Sequence, residues 1–219
     1  MTARKTATPT RSTPRRRAAR RYHHGDLPRA LIDAAVALIA RDGIAALTLR
    51  AVARRTGVSH AAPVHHFGDL DGLHRAIAAE GFERMEAFQR AAADRARDEG
   101  ALARLRAIGV AYVEFAAREP AYFRAMFHPR VADRSADPRL EATSTAAFHL
   151  LLDSIAAAQR EGSVSDGDPR ELALLAWSMV HGLASLLADG QLDDTGFASE
   201  RATELATIIT GHAFRGLHP

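Results

Sequence analysis

The stretch TLRAVARRTGVSHAAPVHHF, Thr48–Phe67, decides how this chain folds. Thr48 has a hydroxyl suited to capping a helix start, and Leu49, Val52 and Ala53 follow at the spacing of one apolar helix face. Gly57 stops that helix, because a tight turn needs a positive φ that glycine adopts without steric cost. Val58 points inward, and Ser59 is the expected N-cap of a second short element reaching about His66. Ala53 is small enough for the two helices to approach closely. The reading is helix, glycine turn, helix. Pro63 falls inside the second element, where it deletes a backbone donor and disfavours helix at Ala62, so a late or irregular start is expected there.

Working outward, Leu27, Ala30, Leu31, Ala34, Ala35, Leu38 and Ile39 recur at helical spacing, with Arg29, Asp33 and Arg41 off the stripe. Asp26 caps that first helix and Gly43 ends it. Downstream, Asp69 caps a long helix from about Leu70 to Asp98. Further helices are predicted at Leu102–Arg118, Pro120–Phe127, Pro138–Glu161, Pro169–Ala188 and Ser199–Phe214, with Pro120 and Pro169 in first turns, where proline is tolerated. No segment alternates as a strand does. The expected fold is all-α, with a three-helix head at 22–69 and a larger helical body at 70–219. Residues 1–21, with eight Lys/Arg and no acid, read as a disordered basic arm.

The chain has 219 residues, 47% of them hydrophobic, and no cysteine. This excludes disulfides, thiol catalysis and thiolate metal sites, and it suits a cytoplasmic location. No run approaches the roughly 18 consecutive apolar residues of a membrane span. Net charge is +3 but unevenly placed. Residues 1–67 hold 13 of 29 Lys/Arg and 3 of 26 Asp/Glu, a balance of +10, and the remainder carries −7. A basic head on an acidic body is the footprint of a polyanion binder whose remainder stays clear of the polyanion.

In a helix-turn-helix the second helix enters the major groove and the first crosses the phosphate backbone. The groove-facing candidates are Ser59, His60, Ala61, Val64 and His65, while Thr48 and Arg50 can reach phosphate. Tyr22-His23-His24-Gly25-Asp26-Leu27, Leu47-Thr48-Leu49-Arg50 with Val52-Ala53, Thr56-Gly57-Val58-Ser59 and His65-His66-Phe67 together closely resemble the head of TetR/AcrR-family regulators. The resemblance adds Tyr22 and His66 to the candidate DNA contacts, and Arg20 and Arg21 join them from the arm. It implies a homodimer on a palindromic operator, most simply a repressor, with a body pocket whose ligand releases double-stranded DNA. The family often has Tyr at Val64, Lys at Leu70 and Leu at Pro63. Neither Val64 nor Leu70 can donate to phosphate, a task the arm's arginines can take over.

In the body, Trp177 and the pair His181-Gly182 resemble a motif of one subgroup of that family. Tyr112, Phe115, Tyr122, Phe123, Met126, Phe127, Phe148, Trp177 and His181 are the candidate ligand residues, although the same pattern also suits plain core. Tyr112, Tyr122 and His181 each want a hydrogen-bond partner if buried, which a ligand or the protein itself can supply. Leu172 to Leu187 is apolar on more than one face, predicting a helix buried on two sides, one of them a second subunit, with Gly182 and Ala184 permitting close approach.

The histidine spacings make no metal site, and no cofactor is expected. Phosphate loops, nucleophile elbows and thiol nucleophiles are absent, so the chain does not read as an enzyme. Two other readings compete: a nonspecific DNA-coating protein, and a small-molecule-binding helical protein with a vestigial head.

Overall fold

The computed structural model describes residues 26–195, 197 and 201–216, with side chains as far as His212. Nine α-helices occur among them and no strand. The first three form the head: α1 (Leu27–Asp42), α2 (Leu49–Thr56) and α3 (Ala61–Phe67). The connector α4 (Leu70–Arg95) leads to α5 (Ala101–Arg118), α6 (Pro120–Met126), α7 (Pro138–Arg160), α8 (Pro169–Ala188) and α9 (Ala202–Gly216).

Short-range chemistry starts and stops these helices. The carboxylates of Asp26, Asp69, Asp137 and Asp168 accept from the backbone N–H groups of Arg29, Gly72, Leu140 and Arg170, and the Thr48 hydroxyl accepts from Ala51. Each satisfies a donor that the first helical turn leaves unpaired. Gly57 takes the left-handed conformation (φ 77°, ψ 28°) and closes α2 with its N–H on Ala53 O. Ser59 does not act as the expected cap. His60 occupies that position with no side-chain bond, and α3 starts one residue late, at Ala61. Pro63, the third residue of α3, has no N–H for a cap to bind. It is tolerated there because first-turn donors have no intrahelical partner in any case.

α5 is the central strut of the body, packed against α4, α7, α8 and α9. One core runs without a break from Leu31, Leu38, Ile39 and Val52 in the head, through Leu73, Ile77 and Phe82 on α4, to Tyr112, Phe123 and Met126. A smaller cluster of Leu105, Ile155, Ala158, Val164 and Ala173 closes the far end of the body. α4 rises about 39 Å over its 26 residues, a rigid link from head to body.

Only α8 among the described residues is long and apolar enough by mean hydropathy to cross a membrane, although Arg170, Glu171, Ser178, His181 and Ser185 interrupt it, so its apolar run stays short of the roughly 18 consecutive residues of a span. It packs in the body between α5, α7 and α9. Its apolarity has two origins. Ala173, Ala176, Ala184 and Leu187 face the core, while Leu174, Leu175 and Leu186 are exposed. Ala184 is wholly buried and so faces the core rather than a partner subunit. Gly182 is exposed, with nothing near the place a side chain would take.

Candidate functional site

The head leaves its candidate DNA contacts on and before α2 and α3 exposed to solvent. Thr48 and Arg50 stand exposed at the start of α2, and Ser59, His60, Ala61, Val64, His65 and His66 are all exposed on and before α3. Their packing partners lie on the opposite face, where Val52, Ala53 and Pro63 are buried. The Thr48 oxygen is engaged as a cap at 3.1 Å, but its proton remains available to a phosphate oxygen. His65 and His66 meet edge-on, with ring centroids 5.2 Å apart. Arg54 and Arg55 are exposed on the last turn of α2, two cations the sequence argument did not single out. Arg20, Arg21 and Tyr22, with the whole basic arm, lie outside the described residues.

A cavity of about 500 Å³ opens in the body between α4, α5, α7 and α8. Among the aromatic candidates, Tyr112, Phe127, Phe148 and Trp177 line it. Phe115, Tyr122, Phe123, Met126 and His181 do not; the first four are buried in the core, and His181 packs behind Phe127 at 4.5 Å between ring centroids. The hydrogen-bonding needs of Tyr112, Tyr122 and His181 are met within the protein. Trp177 Nε1 donates to the Tyr112 hydroxyl at 3.1 Å, and that hydroxyl lies 2.8 Å from His181 Nδ1. Burial lowers the His181 pKa, favouring a neutral ring that accepts the phenol proton, and burial likewise raises the pKa of Tyr112.

Between cavity and head lies a charged knot. Glu80 Oε1, on α4, accepts from Arg29 on α1 at 2.6 Å, from Arg84 at 2.8 Å and from the Tyr122 hydroxyl on α6 at 2.7 Å. Burial opposes ionisation of Glu80, but these three donors outweigh it and hold the carboxyl below its ordinary range. One carboxylate thus ties head, connector and body together. Beside it α4 and α6 touch so closely that a Cβ on Gly81 would come within 2.7 Å of Met126 Cγ. Further along, His74 stacks on His128 at 4.8 Å, and Arg130 pairs with Asp71 at 2.5 Å.

Comparison with known proteins places both halves. Residues 31–77 match the family described as bacterial regulatory proteins, tetR family, and residues 105–209 match the tetracyclin repressor-like C-terminal domain. A solved structure of a protein of unknown function from Rhodococcus sp. RHA1 shares 35% identity with a TM-score of 0.72, covering 90% of this chain and 98% of that one. The chain belongs to the TetR family.

The fold of this TetR-family regulator recurs in more distant structures. The TetR family transcriptional regulator PfmR from Thermus thermophilus is 19% identical, with a TM-score of 0.64, and covers 86% of this chain and 96% of its own. The ketosteroid transcriptional regulator KstR2 of Mycobacterium tuberculosis is 18% identical, with a TM-score of 0.65, over 86% and 93%. A comparison with curated proteins returns no match. As a member of the TetR family, matched over its N-terminal and C-terminal domains, the protein is a DNA-binding transcriptional regulator and not an enzyme. The residues that the sequence argument missed are polar ones in an apolar setting: Gln89 and Arg134 on the cavity wall and Glu80 in the knot. Nothing local marks them, since each reads as an ordinary surface residue of its own helix or turn.

Proposed function

We propose that this regulator is a homodimeric, cytoplasmic repressor that binds a palindromic operator and is released from it by a small molecule held in the body cavity. The observation that carries this reading is the continuity of cavity, knot and head. Phe127 touches the cavity at the end of α6, Tyr122 one turn earlier donates to Glu80, and Glu80 holds Arg29 of α1. A ligand that displaces Phe127 thereby shifts α6 against α4 and re-aims the head. Dimeric helix-turn-helix proteins read half-sites about one helical turn apart, so a small change in head separation breaks the fit.

The dimer is supported by Leu174, Leu175 and Leu186 on α8 and Ile208 on α9, which are 45–58% exposed. Exposed leucines on a helix otherwise packed in a core call for a covering surface. The DNA contacts assigned to Thr48, Arg50, Ser59, His60, Ala61, Val64, His65 and His66 rest on their shared exposed face, with the arm's arginines supplying further phosphate contacts.

The test is selection of bound fragments from genomic DNA, followed by titration of the enriched fragment and of random DNA. A specific regulator shows a preference of roughly 10³ or more, and a DNA-coating protein almost none. Release from the enriched fragment by a cavity ligand, with reciprocal weakening of ligand binding by that fragment, completes the test. Identical ligand affinities with and without the fragment overturn the control mechanism.

A further inference from the structure

We infer that the cavity is built for an elongated, mainly apolar ligand with an anionic group at one end, held by Arg134, and a hydroxyl or N–H donor at the other, received by Gln89. This rests on the reading of the cavity as an effector site and adds the chemistry of the effector. Two independent observations carry it.

The first is Arg134, in the short turn Arg134–Ala136 that precedes α7. Its guanidinium lies on the cavity wall over the Phe82 ring, 4.7 Å from the centroid, and 6.0 Å from that of Phe127. Among the described residues no carboxylate stands within ion-pairing distance of it, whereas most other arginines of the body are paired. Burial lowers its pKa, although arginine stays charged at any physiological pH. A half-buried guanidinium clamped on aromatic faces, with its N–H fork unpaired, is a receptor for a carboxylate or similar oxyanion. Glu141 also lines the cavity but is exposed to solvent, which screens its charge.

The second is Gln89, 5% exposed and on the same wall. Its Nε2 donates to the Ile108 carbonyl at 3.2 Å, which fixes the amide orientation, because a carbonyl accepts only from the nitrogen end. Oε1 is then a buried acceptor with no partner. Buried acceptors are rarely left unmet, so a ligand donor is the natural complement. Phe82 and Gln89 lie on one face of α4, seven residues apart, which sets the two recognition points about 10 Å apart along the helix. Between them the wall is apolar, with Met85, Ile108, Phe148 and Trp177. A volume of about 500 Å³ suits a single small molecule of that length.

The experiment uses the full-length protein and the fluorescence of Trp177, the only tryptophan in the chain and part of the cavity wall. Three probes of matched length are titrated: ω-hydroxydecanoate, decanoate and decanediol. The hydroxy acid is expected to bind at least tenfold tighter than the diol and several-fold tighter than decanoate. Arg134→Met should abolish the first preference and Gln89→Leu the second. Equal binding of acid and diol by the wild-type protein overturns the charge assignment without any variant, and so does failure of all three probes to bind. Equal binding of the hydroxy acid and decanoate overturns the role of Gln89. The parent reading fails separately. If the hydroxy acid binds in the expected order but leaves operator affinity unchanged, the recognition chemistry stands and effector control falls.

Discussion

Replacing Tyr122 by Phe deletes one hydroxyl from the knot that joins head to body, and its consequences can be worked out from the contacts. The hydroxyl donates to Glu80 Oε1 at 2.7 Å, and Tyr122 is 3% exposed. A hydrogen bond to a charged acceptor contributes about 1.5–3 kcal/mol. Phe leaves no orphaned donor behind, and Glu80 keeps both guanidiniums, so the loss should sit at the low end, about 1.5 kcal/mol. For a chain of this size that corresponds to a fall in melting temperature of about 3–6 °C, read at fixed protein concentration because a dimer's midpoint depends on it. Arg29→Met, by contrast, removes a partner that is 39% exposed and also paired with Asp33, and should cost under about 1 kcal/mol. Because both donors share one oxygen, the double variant should depart from additivity by at least about 0.5 kcal/mol. The functional counterpart is a smaller ligand-induced release from the operator, since α6 no longer pulls on α4 through Glu80. An unchanged melting temperature for Tyr122→Phe, or strict additivity with Arg29→Met, would refute the shared-carboxylate knot.

Leu175→Glu or Leu186→Glu places an uncompensated charge on the exposed apolar face of α8, and light scattering should then report monomers where the parent protein is dimeric. Deleting residues 1–20 should weaken binding to operator and random DNA alike and flatten the salt dependence, whereas His60→Ala or His65→Ala should lower mainly the operator-to-random ratio. Stability should fall as pH drops from about 6.5 toward 4, because burial lowers the His74 pKa to about 4 and the unfolded chain takes up a proton that the folded chain refuses. The loss from His74 alone is roughly 3 kcal/mol by pH 4, and acid titration of a His74→Phe variant should show a shallower decline. Gly81→Ala forces a Cβ against Met126, and overpacking of about 1–3 kcal/mol should outweigh the roughly 1 kcal/mol of helix propensity that alanine gains, giving a lower melting temperature.

Much of this molecule was written in local sequence. The starts of α1, α2, α4, α7 and α8 are set by Asp26, Thr48, Asp69, Asp137 and Asp168, and the stops after α1 and α2 by Gly43 and Gly57. These signals act within four residues, so no knowledge of distant packing is needed to read them. The exposed face of α3 follows for the same reason, since Val52, Ala53 and Val58 declare which side is inward. Pro63 made the late start of α3 foreseeable, though not the loss of Ser59 as its cap.

Tertiary packing decided the rest. Arg29 reads as a solvent residue off the apolar stripe of α1, and only the approach of α4 and α6 brings it to Glu80, 51 positions away, and brings Tyr122 to the same carboxylate from 42 positions away. Phe127, just past the end of α6, reaches the cavity, while Phe123 and Met126 on the same helix are core. Helical periodicity separates inside from outside, but it cannot distinguish a side chain that meets another side chain from one that meets an empty space. That distinction depends on where neighbouring helices stop short of filling the volume, and the unpaired Arg134 and the unmet Gln89 oxygen become visible only when it is drawn.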